Sequence, residues 1–290
     1  MPTYGVSHAN SGGTNVTAYM RSIPLFRAGM LRECWDFRDF ILASVKRDFV
    51  SRYLGTQLGF FWAIAQPLAM IAIYTLIFAE IMKPRLPGHD SKFAYSIYLC
   101  TGILTWQLFS ELLNRSVGVF VHNANLLKKV NLPKLALPVI VALSGLSNFA
   151  VILVLFVGFV IAIGSFPAGA ILAMIPVLVL VVALALGLGV LLGTINVFYR
   201  DIEQSTTMLL QFWFWLTPIV YPGRSLPGFL AELLAWNPMW PIVNFAQTIF
   251  LDDRVPAWSM LLYPAVVAIV FLLLGLFAFR KLSGEIVDEL

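Results

Sequence analysis

The sequence predicts an all-α polytopic membrane protein with six transmembrane helices, and three observations support this prediction. Hydrophobic residues make up 60% of the 290 residues and charged residues only 12%, whereas about a quarter of a soluble domain is charged. The mean hydropathy is +0.86. Six apolar runs, finally, reach or approach the length of about 20 residues that crosses a bilayer as a helix.

The predicted spans divide a transmembrane domain that extends from residue 58 to residue 281. The fifth run is shorter than the others but is long enough to cross with little tilt. The runs cover residues 58–82, 94–113, 135–163, 168–196, 206–222 and 258–279.

The segments on either side of this domain differ from it in composition. Residues 1–30 are rich in Ser, Gly, Asn and Thr and lack the apolar core of a signal peptide, so we expect a flexible cytoplasmic tail. Residues 31–57 mix apolar positions with charges of both signs, which is compatible with a helix at the membrane interface. Residues 282–290 would form a short cytoplasmic C-terminus.

Lysine and arginine are distributed unequally between the two sides of this arrangement. Fourteen of the 19 lie on the side that holds both termini, and five lie on the other side. The positive-inside rule therefore predicts that both termini are cytoplasmic.

Residues 224–256, between spans five and six, contain two apolar stretches that are too short to cross, Leu226–Ala235 and Pro241–Phe250. Asn237-Pro238 separates them, because proline lacks the donor that a continuing helix requires. We expect two short helices that enter the outer leaflet and return, and that cap or gate a passage. A surface amphipathic pair is the alternative.

The distribution of ionisable residues argues against ion coupling and against ATP binding in this chain. None of the fifteen carboxylates lies near the middle of a predicted span, and Glu80 and Glu111 lie at span ends. Ion-coupled transporters need such groups at membrane depth. No Gly-Lys pair and hence no phosphate-binding loop occurs. If ATP drives this protein, another chain binds it.

Signals for enzymatic or metal chemistry are also weak. His8, His89 and His122 are scattered, with no metal-like spacing. Asp252-Asp253 is an adjacent acidic pair, and we interpret it as a solvated loop end. The two cysteines, Cys34 and Cys100, give no disulfide framework, so we interpret them as structural.

Aromatic residues reach 14% of the chain and form the run Phe212-Trp213-Phe214-Trp215 in span five. Two interpretations stay open: the rings fill helix contacts or face lipid, or one face of them lines a passage in which sugar rings pack on aromatic rings. Gly189 and Gly193 in span four have the small-x-x-x-small spacing that permits close helix packing, which is our interpretation of them.

Four stretches together carry a resemblance to a known family. They are Arg52-Tyr53 with Leu58-Gly59, Trp62 and Gln66-Pro67; Asn125-Leu126-Leu127-Lys128-Lys129; Arg200-Asp201; and Asn237-Pro238. In this order and spacing, the sequence resembles type-two ABC exporter permeases of the polysaccharide-export group, which includes O-antigen, capsule and teichoic-acid permeases. The resemblance extends from about Arg32 to Lys281. One departure is Leu132-Pro133-Lys134, where many relatives carry Phe-Pro-Arg.

The resemblance implies a permease subunit that is not itself an enzyme. Two copies would form a homodimeric pore in the bacterial inner membrane, and two copies of a separate ABC ATPase would bind ATP and Mg. No cofactor or metal is implied in this chain, and no nucleic acid. The substrate would be a polyprenyl-linked glycan, with O-antigen preferred, moved from cytoplasm to periplasm.

The same resemblance assigns roles to residues at four places. A coupling loop over 114–134 would contact the ATPase, and Arg52 and Tyr53 would hold the turn from the interfacial helix into span one at the cytoplasmic mouth. The implied coupling residues are Asn123, Asn125, Leu126, Leu127, Lys128, Lys129, Asn131 and Pro133, and the cytoplasmic mouth also has Arg200 and Asp201. Candidates for lining the passage are Trp62, Gln66 and Phe212 to Trp215. The periplasmic gate has Trp236, Asn237 and Pro238.

Other functions remain as alternatives. Capsule and wall-polymer permeases share these motifs, and drug-type ABC permeases share the six-span plan but would not be expected to carry the Leu-Gly, Trp and Gln-Pro arrangement of span one. A membrane-embedded glycosyl- or acyltransferase would need a catalytic carboxylate or histidine at the membrane surface, for which the sequence offers no good candidate.

Overall fold

The computed structural model describes residues 35–54, 59–82, 89, 91–129, 133–222 and 228–289, and all regular structure within these ranges is helical. The proposed tail over 1–30 and the start of the predicted interfacial region lie outside the described residues. The first half of the fold consists of α1 (Arg38–Leu54), α2 (Gly59–Thr75), a π-helical continuation (Leu76–Met82), α3 (Ala94–His122), α4 (Ala124–Lys129) and α5 (Ala136–Ala162).

The second half begins after a loop at residues 163–170. It consists of a 3₁₀ turn (Ile171–Ala173), α6 (Met174–Phe198), α7 (Asp201–Trp215), α8 (Gly228–Ala235), α9 (Met239–Asp252), a second 3₁₀ turn (Trp258–Leu261), α10 (Leu262–Leu282) and α11 (Ile286–Glu289).

Helix α3 is the centre of the bundle. Its 29 residues include a continuous series of buried side chains, and Phe109, Leu112, Val117 and Phe120 are completely inaccessible to solvent. Helices α5, α6, α7 and α9 all pack against it. The prediction for span two ended at residue 113, which is wrong for the helix: α3 continues to His122, because Val117 and Phe120 are core residues.

Helix α6 crosses α3 and α10 at unusually short distances. A Cβ atom on Gly193 would lie 2.7 Å from the backbone oxygen of Ser116, and one on Gly187 would lie 2.6 Å from the backbone nitrogen of Leu272. A Cβ on Gly189 would collide with the Ser116 side chain. The interpretation of Gly189 and Gly193 as packing residues is therefore confirmed, since only glycine permits these approaches.

Three described stretches are long and apolar enough to cross a membrane: Ala136–Ala162, Ile171–Phe198 and Trp258–Leu282. They correspond to predicted spans three, four and six. The total of six spans stays a prediction.

The fifth predicted span, residues 206–222, has wrong limits. Helix α7 begins five residues earlier, at Asp201, where a carboxylate in the first turn favours a helix N-terminus. It ends at Trp215, and residues 216–222 are not helical. Pro218 explains this end, because proline disfavours helical geometry in the residue before it and has no N–H to donate.

Helices α8 and α9 form the two short helices predicted between spans five and six, with the break at Asn237-Pro238. Helix α9 is not a surface element. Its side chains Met239, Ile242, Phe245 and Ile249 are completely buried, and it packs against α3 and α6. This burial disagrees with the surface amphipathic pair that was the alternative.

The ends of the bundle differ in charge. One end, here called the basic end, is formed by α1, α4, α11 and the starts of α5 and α7. There Ile41 of α1 packs on Ala136 of α5, Lys134 donates a hydrogen bond to the carbonyl of Ser283, and Ile286 is fully buried. The opposite end contains the 163–170 loop, whose Gly169 N–H donates to Asp253 at the end of α9.

We predict that Gly193→Ala destabilises the protein by about 1–3 kcal/mol, because the added methyl group collides with backbone that cannot move independently. Thermal unfolding in detergent would measure this. Gly158→Ala in α5 is the matched control, since a Cβ there meets nothing within 4 Å. Equal unfolding temperatures for both variants would contradict the assigned helix contact.

Candidate functional site

Four charged side chains join α1 to α3 near the basic end. Arg52 Nη1 lies 2.9 Å from Glu111 Oε1, and Arg115 Nη2 lies 2.7 Å from Asp48 Oδ2. Arg115 Nη1 is also 3.7 Å from Glu111 Oε1. Asn148 of α5 donates to the second oxygen of Glu111 at 3.2 Å. The network contains two positive and two negative groups and is formally neutral.

The carboxyl group of Asp48 is held in its ionised form. Burial alone would raise its pKa, but the hydrogen bond from Arg115 and the charges of Arg115 and Arg52 outweigh burial and hold the pKa below its ordinary value of 3.8. At neutral pH the Asp48–Arg115 pair is therefore fully charged.

This network was not predicted from the sequence, in which Glu111 stands at the end of an apolar run. With α3 extended to His122, Glu111 lies inside the helix, about 16 Å from its C-terminal end at 1.5 Å per residue. The spacing of Glu111 and Arg115, four residues apart in sequence, was the available signal. Their partners Arg52 and Asp48 are some 60 residues away, beyond any local pattern.

A cavity of about 270 Å³ lies next to this network, between α2, α3 and α5. Its wall combines charged and amide groups at one side with apolar side chains and two aromatic rings elsewhere. Trp62 and Gln66, predicted as passage residues, are exposed here, and buried Cys100 forms part of the wall. The lining is Arg52, Trp62, Gln66, Pro67, Met70, Ile71, Tyr74, Cys100, Leu104, Gln107, Glu111, Asn148 and Ile152.

The aromatic run at the end of α7 divides into two pairs. Trp213 and Phe214 turn inward, where Trp213 packs edge-on against Phe109 at 5.2 Å between ring centroids, and both contact Trp106. Phe212 and Trp215 are more than 60% exposed. The inner pair therefore fills helix contacts, and for the exposed outer pair the two interpretations, a passage or the lipid, stay open.

Asn237 links the end of α7 to the α8–α9 pair. The indole N–H of Trp213 donates to Asn237 Oδ1 at 2.8 Å, and the Asn237 amide donates to Thr217 Oγ1 at 2.9 Å and to the Leu216 carbonyl at 3.2 Å. The N–H of Met239 donates to the same Oδ1. One buried amide therefore satisfies groups that the sequence analysis assigned to two separate places.

The predicted coupling segment contains helix α4. Asn123 ends α3, with its amide donating to the Val119 carbonyl at 2.8 Å. Leu127 is buried and Leu126 is partly buried, which anchors α4, while Asn125, Lys128 and Lys129 are exposed. Asn131 lies outside the described residues. Pro133 precedes α5 and is partly buried.

The other predicted site residues are not gathered into one place. Arg200 and Asp201 are exposed at the start of α7, and the structure describes only the backbone of Tyr53. At the opposite end, Trp236 is 77% exposed, its carbonyl accepts a hydrogen bond from Tyr263, and Pro238 is partly buried.

No group of three or more potential metal ligands occurs in the part of the chain that the structure describes. Asp252, interpreted as a solvated loop end, instead pairs with His89 at 2.7 Å and with Arg254 at 3.1 Å.

A family model described as ABC-2 type transporter matches residues 40–251, which include α1, the cavity and the α8–α9 pair. The chain belongs to the ABC-2 type transporter family. The resemblance drawn from the sequence motifs is thereby confirmed at the family level.

Curated ABC-2 relatives match over most of their length. An O-antigen export system permease protein RfbA of Myxococcus xanthus is 29% identical over 90% of this chain and 99% of its own. RfbA of Klebsiella pneumoniae is 27% identical over 87% and 95%, respectively. A polysialic acid transport protein KpsM of Escherichia coli is 25% identical over 81% and 90%.

We predict that Asn237→Ala lowers the stability of this ABC-2 protein by about 2–3 kcal/mol, because Trp213 and Met239 lose a buried acceptor. Thermal unfolding followed by tryptophan fluorescence would report it. Asn244→Ala, within the neighbouring helix α9, is the control, since no side-chain hydrogen bond of Asn244 occurs within the described ranges. A loss of similar size at Asn244 would contradict a specific role for Asn237.

Proposed function

We propose that this chain is the transmembrane permease subunit of an ATP-driven exporter that moves a polyprenyl-diphosphate-linked polysaccharide from cytoplasm to periplasm. The observation that carries the proposal is the match to permeases named for O-antigen export over 95–99% of their length. O-antigen is therefore the preferred substrate, and a capsular polysaccharide is the second candidate, favoured by the match to polysialic acid transport proteins.

The chain would work as a homodimer in the bacterial inner membrane, with both termini in the cytoplasm. Under this orientation the basic end faces the cytoplasm, which agrees with the excess of Lys and Arg there. The same positive charge would attract the diphosphate of the lipid carrier.

ATP and Mg would bind to two copies of a separate ATPase, and this chain would be non-catalytic. Helix α4 is suited to contact that partner, because Leu127 anchors it while Asn125, Lys128 and Lys129 extend into solvent at the basic end. Movement of α4 would be transmitted to α3, because only Asn123 separates the end of α3 at His122 from the start of α4 at Ala124.

The passage would be lined by aromatic and uncharged groups, including Trp62, Gln66, Phe212 and Trp215, all of which are exposed. Such a surface suits a polymer that is polar but largely uncharged. The α8–α9 pair would form the periplasmic gate, and Asn237 would join it to α7.

The test is deletion of the gene with its neighbours kept intact, followed by analysis of glycan inside the cell and on its surface. We expect polyprenyl-linked glycan to accumulate in the cytoplasm while the surface polymer disappears, and its composition would identify the substrate. Unchanged surface glycan would contradict export of polysaccharide. Loss of glycan both inside and outside would indicate a biosynthetic enzyme instead.

We predict that Lys128→Glu combined with Lys129→Glu lowers export at least about tenfold, because reversing two charges at a docking surface weakens attachment of the ATPase. Surface glycan per cell measures export, and ATP hydrolysis by the purified complex measures coupling. Lys128→Arg with Lys129→Arg is the control that keeps the charge. Normal export by the Glu pair would contradict docking through α4.

A further inference from the structure

The cavity between α2, α3 and α5 contains hydrogen-bonding groups that the protein itself does not use. The side-chain amides of Gln66 and Gln107 both face it, and neither has a hydrogen-bond partner among the described residues. An amide offers two donors and an acceptor.

The charge balance of the cavity favours an uncharged occupant. Arg52 and Glu111 both reach the wall, but they neutralise each other at 2.9 Å, and Arg115 is matched by Asp48. An anion bound beside Arg52 would also lie beside the Glu111 carboxylate, which repels it. A neutral polyhydroxyl group would instead accept a hydrogen bond from Arg52 and donate one to Glu111 without disturbing either pair.

The remaining walls suit a single ring. Trp62, 59% exposed, and Tyr74 contribute aromatic surface, and Ile71 and Leu104 contribute an apolar floor. The volume of about 270 Å³ lies just below the range of roughly 300 to 1,000 Å³ for pockets of drug-sized ligands. It therefore fits a small cyclic unit rather than a length of polymer.

We propose that this cavity is a subsite for one neutral sugar unit of the exported glycan. Gln66, Gln107 and Glu111 form hydrogen bonds with the hydroxyl groups of that unit, and Trp62 packs on its C–H face. This inference rests on the proposed function. It adds that one sugar is distinguished from another at a defined cavity within this chain. Discrimination arises because a sugar lacking a matched hydroxyl leaves a buried polar group unpaired.

A cysteine placed in the wall reports occupancy. The full chain is prepared in lipid nanodiscs with Cys34→Ser, Cys100→Ala and Met70→Cys, and the rate of reaction of the new thiol with N-ethylmaleimide is followed. The probe is the oligosaccharide mixture released by mild acid from the host's own surface polysaccharide, and inorganic pyrophosphate is tested in parallel. Gln107→Leu is introduced into this background, with Gln204→Leu, on exposed α7 surface, as the matched control.

We expect the oligosaccharides to slow the labelling of the cysteine at position 70 in a saturable manner. Gln107→Leu should raise the half-protecting concentration roughly three- to tenfold, as expected for loss of one hydrogen bond, and Gln204→Leu should leave it unchanged. Pyrophosphate should not protect.

Three results would overturn the subsite. They are the absence of protection by oligosaccharide, equal effects of the two leucine substitutions, and protection by pyrophosphate alone, which would reassign the cavity to the diphosphate of the carrier through Arg52. None of these depends on the gene deletion. Loss of surface glycan on deletion together with no protection refutes the subsite only, whereas unchanged surface glycan refutes the proposed function.

Discussion

The close approach of the α3, α6 and α10 backbones is the constraint on which the rest of the fold depends. Within a bilayer, lipid tails solvate apolar side chains as well as a neighbouring helix does, so hydrophobicity alone does not hold helices together. The attraction between helices must instead come from close van der Waals packing of surfaces that fit each other. Gly187, Gly189 and Gly193 allow α6 to meet α3 on one side and α10 on the other, and α3 then carries α5, α7 and α9 on its remaining surface.

Around this centre, polar groups occur where helices must hold a defined position rather than merely pack. Arg52, Asp48 and Arg115 attach α1 to α3 through Glu111, and Asn237 attaches α7 to α9. The two attachments lie at different heights of the same central helix. The cavity with its unused amides lies next to the first attachment, with Cys100, Leu104, Gln107 and Glu111 of α3 in its wall.

Much of this organisation was predictable because it depends on residues that are close together in the sequence. Apolar runs, the glycine spacing and the Asn-Pro break correctly predicted an all-helical protein, a close helix crossing and two short helices. The limits of α3 and α7 were not predictable in the same way. Glu111 and Arg115 look like the end of a span until their partners on α1 are known, and Asp201 resembles the exit of one helix as much as the start of the next.

The candidate site likewise contains some residues that sequence motifs predict and others that only the packing of the helices brings together. Trp62 and Gln66 were accessible to motif reasoning, since the resemblance assigns them a role, whereas Gln107 and Asn148 have no signature and enter the site only through the packing of α3 and α5. The link between Trp213 and Asn237 also depends on the fold. The shared amide has a consequence for the motion of the two helices: separating α7 from α9 leaves several polar groups unpaired at once, so thermal fluctuation opens this joint rarely.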